Sequence, residues 1–340
     1  MCMTCLLHGT PIYGNAAKNR IIRSDIIRRT PFINIVHPCY IPGYPRILFK
    51  FQSVQSMLRL PYFLAKRFVA GETFSVAAPK VRELNGKGIS VTLDLLGENV
   101  TNRQTADETT QSYCELLEGI RDQQLDATIS IKLTMMGMDI DQDYCRDNLF
   151  ALLDKTKELD QFVRIDMEGS DYTQRTLDLF YEAKISYGKH VGIVIQAYMH
   201  RSREDIAKIV RENADVRLCK GAYREPAHVA LQNIVDIRAV FKEYVSKILR
   251  STVYPRIATH DDLLIDWTKR YAEENGIPRS TFEFQMLYGL RQTTCKELVK
   301  EGYNVRVYVP YGTMWLPYFT RRLRERKENI WFILSTMFKR

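Results

Sequence analysis

A short apolar run returns eight times between residues 89 and 310, each time followed by a polar stretch of helical period, and this repetition constrains the chain more than any other feature. The runs are Ile89–Gly97, Ala127–Leu133, Val163–Glu168, Val191–Tyr198, Val216–Tyr223, Arg256–Asp261, Phe282–Leu287 and Asn304–Pro310, each rich in β-branched or aromatic residues. The spacers are long enough for the helical crossovers that parallel strands require. Eight β-α units in succession predict an α/β fold closed as a (βα)8 TIM-like barrel. No Gly-x-Gly-x-x-Gly follows any run, so a doubly wound dinucleotide-binding sheet is the second choice.

The expected organisation has three parts: a basic extension over 1–55, a helical segment over 56–88 and the barrel over 89–340. Gly86 and Gly88 are placed to close a helix that ends near Asn85. The first 50 residues carry Lys18, Arg20, Arg23, Arg28, Arg29, Arg46 and Lys50 against Asp25, which is +6 of the chain's net +9. With so little positive charge left for the main domain, a nucleic-acid partner is not expected. Pro11, Pro31, Pro38, Pro42 and Pro45 break any long helix in the extension. It reads as a membrane-surface arm, a transit-like leader or, preferred here, an extension without function.

The seven cysteines are odd in number and scattered, which points to reduced thiols and a cytoplasmic setting. Cys2 and Cys5 have half the spacing of a zinc site that nothing nearby completes, so no metal is expected. No run of 18 apolar residues exists to span a bilayer.

In such a barrel, chemistry is built at the C-terminal ends of the strands. The polar residues there are Asp94 and Glu98; Lys132; Asp166 and Glu168; Gln196; Arg217 and Lys220; Thr259, His260 and Asp261; Glu283 and Gln285; Arg306 and Tyr308. Any one of them could be a paired ion of the interior. A convergent set is better explained by a large polar ligand, because buried charges are costly unless paired or used. After the last run, Tyr318, Arg321, Arg322 and Glu325 share one face of a C-terminal helix expected to cap the mouth. Two guanidiniums beside a phenol suit a small carboxylate.

These segments resemble the proline dehydrogenase family, in particular its short monofunctional bacterial members, from about residue 63 to 329. The matching pieces are Thr92-Leu93-Asp94-Leu95-Leu96-Gly97-Glu98, Val216-Arg217-Leu218-Cys219-Lys220-Gly221-Ala222-Tyr223, Ala258-Thr259-His260, Phe282-Glu283-Phe284-Gln285, and Tyr308-Val309-Pro310-Tyr311-Gly312 with Arg321-Arg322-Leu323. The resemblance implies FAD across the barrel mouth and oxidation of L-proline to 1-pyrroline-5-carboxylate, the first step of proline degradation. Hydride would pass to flavin N5 and electrons on to a membrane quinone, with peripheral contact at the inner face of the membrane. It implies that Asp166 and Arg217 act beside the flavin ring and that Met167, Gln196, Lys220, Gly221, Ala222, Thr259 and His260 contact FAD. Lys132, Arg321 and Arg322 would hold the carboxylate, with Tyr308 and Tyr318 walling the proline ring. Glu98, leaving the first strand, is expected to reach Arg321 and form a gate. Residues 1–55 do not resemble the family's usual helical N-terminus.

Two other functions compete. Lys132 or Lys220 could serve as the nucleophile of a Schiff-base aldolase. The basic N-terminus could mark a membrane- or nucleic-acid-binding module.

Overall fold

The computed structural model describes residues 65–325, with side chains up to Thr320. The expected extension over 1–55 and the start of the helical segment lie outside the described residues. A helix, α1 (Phe74–Asn85), precedes the repeating units. These are β1 (Ser90–Leu95), α2 (Arg103–Asp122), β2 (Ala127–Ile131), α3 (Gln142–Glu158), β3 (Val163–Ile165), α4 (Ser170–Tyr187), β4 (Val191–Gln196) and α5 (Ser202–Arg211). They continue as β5 (Val216–Cys219), α6 (Ile234–Leu249), β6 (Pro255–Ala258), α7 (Asp262–Glu274), β7 (Glu283–Leu287), α8 (Gln292–Lys300), β8 (Asn304–Tyr311) and α9 (Trp315–Glu325). Each strand pairs in parallel with the next, and β8 returns to β1 with Ser90 aligned on Arg306 and Leu95 on Tyr311. The fold is a closed (βα)8 barrel, not the doubly wound alternative.

Every expected run overlaps a strand, but all except β7 and β8 stop sooner than their runs, β3 at Ile165 and β5 at Cys219 among them. The polar residues beyond leave the ladder to face the mouth, and after β5 the chain turns at Gly221 with φ +139°. The two glycines expected to close α1 do so: Gly86 caps it at φ −61°, its N–H reaching the Arg82 carbonyl, and Gly88 follows in the left-handed region at +71°. Helix starts follow side-chain chemistry. Asn102, Asp141 and Asn233 accept backbone N–H bonds ahead of α2, α3 and α6, each cap contributing about 1 kcal/mol.

Strand side chains alternate between two environments. Val163, Ile165, Ile193 and Leu218 point outward and are buried under helix residues such as Leu152 and Phe180. Inward-facing positions are largely polar, unlike the branched apolar layers common in such barrels. Below the mouth, Arg164, Arg256 and Arg306 share two acids. Arg164 and Arg256 both pair with Asp215, and Arg256 and Arg306 both pair with Glu283, at 3.0 and 2.9 Å. The fully buried Arg164 also donates to the carbonyls of Ile193 and Asp215.

A second apolar cluster joins Ala65, Phe68 and Val69 to Leu96 and to Tyr318 and Phe319 of α9. This packing holds α9 beside the mouth.

Gly192 makes room for the buried arginine. A Cβ there would lie 2.3 Å from Arg164 Nη1 and 2.7 Å from the Phe162 ring. Arg164 cannot move without abandoning its carbonyl and carboxylate partners, so Gly192→Ala is expected to cost about 3 kcal/mol or more. Chemical denaturation of the variant against the parent chain measures this, and a loss below about 1 kcal/mol would show that the arginine has room to shift.

Candidate active site at the barrel mouth

The C-terminal ends of the strands enclose a cavity of about 500 Å³. Its floor is a hydrogen-bonded cluster drawn from five strands or their ends. Asp166, just beyond β3, receives Arg217 Nη1 at 2.8 Å and the Ser130 hydroxyl at 2.9 Å on one oxygen, and the Tyr308 hydroxyl at 2.7 Å on the other. Arg217 also donates to Ser130 Oγ at 3.1 Å and, through Nε, to Gln285 Oε1. Its guanidinium carbon lies 5.2 Å from the centre of the Tyr308 ring. Burial, reinforced by Asp166 and Asp94, raises the Tyr308 phenol well above its usual value, so it stays protonated and donates.

Beside this cluster Lys132 donates to Asp94 at 2.8 Å, both side chains buried. Burial works against the ammonium, but Asp94 and then Asp166 outweigh it and hold Lys132 above its usual value. Burial raises the Asp94 carboxyl.

The rim is built from loops. Gln196 donates from Nε2 to the Glu168 carbonyl at 3.0 Å and accepts the Ala222 N–H at 2.9 Å, which ties the loop after β5 to β4. Gly221 in that loop passes so close to Tyr198 that a Cβ would lie 2.5 Å from its ring. Lys220 and Arg238 both bind Asp261, at 2.9 and 2.8 Å. Burial opposes ionisation of Asp261, yet the two cations lower its pKa below the usual value. Two cations on one carboxylate leave this half-exposed edge positive. His260 Nε2 accepts the Leu287 N–H at 2.9 Å, which puts the proton of the neutral ring on Nδ1. Met167 and Thr259 also line the cavity.

Comparison with known proteins decides what this arrangement belongs to. The family model for proline dehydrogenase matches residues 77–333. The chain belongs to the proline dehydrogenase family. It is 43% identical to proline dehydrogenase 2 of Bacillus subtilis (strain 168) over 276 residues, covering 81% of this chain and 91% of that one. Proline dehydrogenase of Deinococcus radiodurans is 38% identical over 280 residues, covering 81% and 90%. Among solved structures, proline utilization A (PutA) from Bdellovibrio bacteriovorus, inactivated by N-propargylglycine, superposes with a TM-score of 0.72 at 26% identity. The likeness covers 77% of this chain and 32% of that one, so this chain corresponds to about a third of that protein's length.

For this proline dehydrogenase family member, the structure brings most of the residues singled out from sequence around one cavity. Lys132, Asp166, Met167, Gln196, Arg217, Lys220, Gly221, Ala222, Thr259, His260, Tyr308 and Tyr318 all line it. Glu98 does not. It is exposed on a segment anchored where Thr134 Oγ1 accepts the Asn99 N–H at 3.2 Å. Arg321 and Arg322 lie on α9, but their side chains are outside the described residues, so the Glu98–Arg321 gate and the paired-arginine clamp fall there too. Ser130, central to the floor, went unremarked in the sequence because a serine in mid-strand looks neutral. Its signal was the alternation Thr128, Ser130, Lys132 along one face of β2. Arg238 sits on a helix far along the chain, and no local pattern marked it. Among the described residues no group of three or more His, Cys, Asp or Glu side chains could hold a metal.

Removing Asp166 would leave a buried guanidinium without its charge partner. Asp166→Ala is therefore expected to cost about 3 kcal/mol or more, and Asp166→Asn less because the amide still accepts from Arg217. Urea denaturation of both variants checks the order. Equal losses would show that charge pairing contributes little at the floor.

Proposed function

We infer that this protein, as an oxidoreductase acting on proline, binds FAD at the barrel mouth, converts L-proline to 1-pyrroline-5-carboxylate and delivers the electrons to a membrane quinone. The observation that carries the reading is one cavity combining a buried cation, anchored through Nε and Nη1, at its floor with a positive, half-exposed rim. That donor chemistry fits a dinucleotide: Lys220 and Arg238 suit a diphosphate, and Arg217 suits a ring that gains electron density. Met167, Gln196, Lys220, Gly221, Ala222, Thr259 and His260 would hold the cofactor. FAD, when bound, supplies the acceptor for a hydride.

The remaining work belongs to the side chains. Lys132, kept charged by Asp94, would bind the substrate carboxylate together with Arg321 and Arg322 of α9. Tyr308 and Tyr318 would flank the ring, so that the carbon beside nitrogen is held still for loss of its hydride. Cations around the ligand disfavour a protonated substrate amine, which must be neutral to release hydride. Asp166, Ser130 and Gln285 keep Arg217 in one position, so that its charge needs no rearrangement during reaction. Glu98 and Arg321 would close over bound proline and part to admit it.

The aldolase alternative fits less well. A Schiff-base lysine needs a lowered pKa, whereas Lys132 is raised and Lys220 is ion-paired with Asp261. Among the described residues no helix is long and apolar enough to cross a membrane. The proposed quinone would then be met by peripheral contact at the inner, cytoplasmic face.

An anaerobic visible spectrum tests the cofactor and substrate together. Yellow protein that bleaches on adding L-proline is expected, and colourless protein that gains no activity from added FAD would overturn the reading.

The clamp is tested separately. Arg321→Met and Arg322→Met should each lose charge-assisted hydrogen bonds of about 1.5 to 3 kcal/mol, roughly 10- to 150-fold in kcat/KM. Lys at either position should rescue only in part, because one ammonium cannot reproduce the fork. Changes under about twofold would place both arginines on a solvated face.

A further inference from the structure

The floor of the cavity continues downward. Glu283 Oε1 receives Arg256 Nη1 at 3.0 Å and Arg306 Nε at 2.9 Å, and also Nε2 of Gln285. Gln285 Oε1 in turn receives Nε of Arg217. All of these side chains except the half-buried Arg256 are buried.

An amide can face either way, but these neighbours leave it one choice. Below it stands a carboxylate, which only accepts. Burial opposes its ionisation, yet Arg306 and Arg256 lower its pKa. Above it stands a guanidinium, which only donates. Turning the amide over would set Nε2 against Arg217 Nε and Oε1 against the Glu283 carboxylate, losing both bonds and adding two repulsions. Glu283 thus dictates the direction of Gln285, and Gln285 dictates the third anchor of Arg217.

We propose that Glu283 is a positioning residue for Arg217, acting through the amide of Gln285. The proposal rests on the flavoenzyme reading for its consequence but not for its geometry. Arg217 has two further anchors, Ser130 and Asp166, on its Nη1 side. The Nε bond fixes the far edge of the guanidinium plane. Without it the group can rotate about its stem, and its charge is spread over more than one position.

Two variants divide the question. Gln285→Met removes both amide bonds at similar volume and leaves Glu283 its two arginines, so the fold should survive. Glu283→Met keeps the amide at 285 but removes the acceptor that orients it. In each, the bound flavin should be stabilised about tenfold less in its reduced form, a midpoint potential about 30 mV more negative for a two-electron couple. The kcat should fall by a similar factor while KM for proline changes less than about twofold. The double variant should shift the potential no further than Gln285→Met alone, because among the described residues the hydrogen bonds of Glu283 reach Arg217 only through Gln285. A lowered melting temperature with an unmoved potential in both single variants would reduce Glu283 to a structural role and overturn the proposal, as would additive shifts. If the parent protein holds no flavin, the cofactor reading fails separately. The crystal structure of unliganded Glu283→Met then decides the relay: a displaced Arg217 guanidinium supports it, and an unmoved one overturns it.

Discussion

The interior of this barrel depends on five charged side chains satisfying one another. Asp215 joins Arg164 to Arg256, and Glu283 joins Arg256 to Arg306. Taking such groups out of water is expensive, and their mutual attraction offsets the cost only when geometry is good and the remaining donors are bonded. Here Arg164 Nη1 reaches two backbone carbonyls, although its buried Nε makes no hydrogen bond, and Arg306 reaches the Val91 carbonyl at 2.8 Å. The strands must therefore close in one register, because a slip by one residue would turn the charges outward under the apolar helices.

A polar interior also changes what the mouth can be. Branched aliphatic layers would end at a greasy floor with no means of orienting an arginine. The ion network instead passes direction upward through Glu283 and Gln285 to Arg217, and across the barrel through Ser130 and Asp166 to Tyr308. The floor groups hold one another through mutual hydrogen bonds, and a charge fixed in this way can act on a ligand without reorganising. The rim is built on a different plan. Lys220 and Arg238 are themselves half-exposed and meet on the buried Asp261, in a setting where charge attracts an anion but each individual contact contributes less.

Much was legible in the chain itself. Apolar runs with helical spacers determined the barrel, since eight parallel strands with crossovers have few other ways to bury both faces. The position of a polar residue at the end of a run was enough to bring Lys132, Asp166, Gln196, Arg217, Lys220, Thr259, His260 and Tyr308 to the cavity, because in this fold every strand ends there.

What tertiary structure alone decided is the set of partnerships. Glu283 and Gln285 were visible as strand-end polar residues, but nothing local says that one orients the other, or that Arg217 from β5 is the group so oriented. Ser130 gained its place from β3 lying beside its strand and β5 lying across the barrel, and Arg238 from the fold of a helix that begins some fourteen residues beyond β5. Alternation along a strand is a local property and can be read from sequence. Which donor meets which acceptor depends on strand register and barrel closure, and those are settled by the packing of the whole chain.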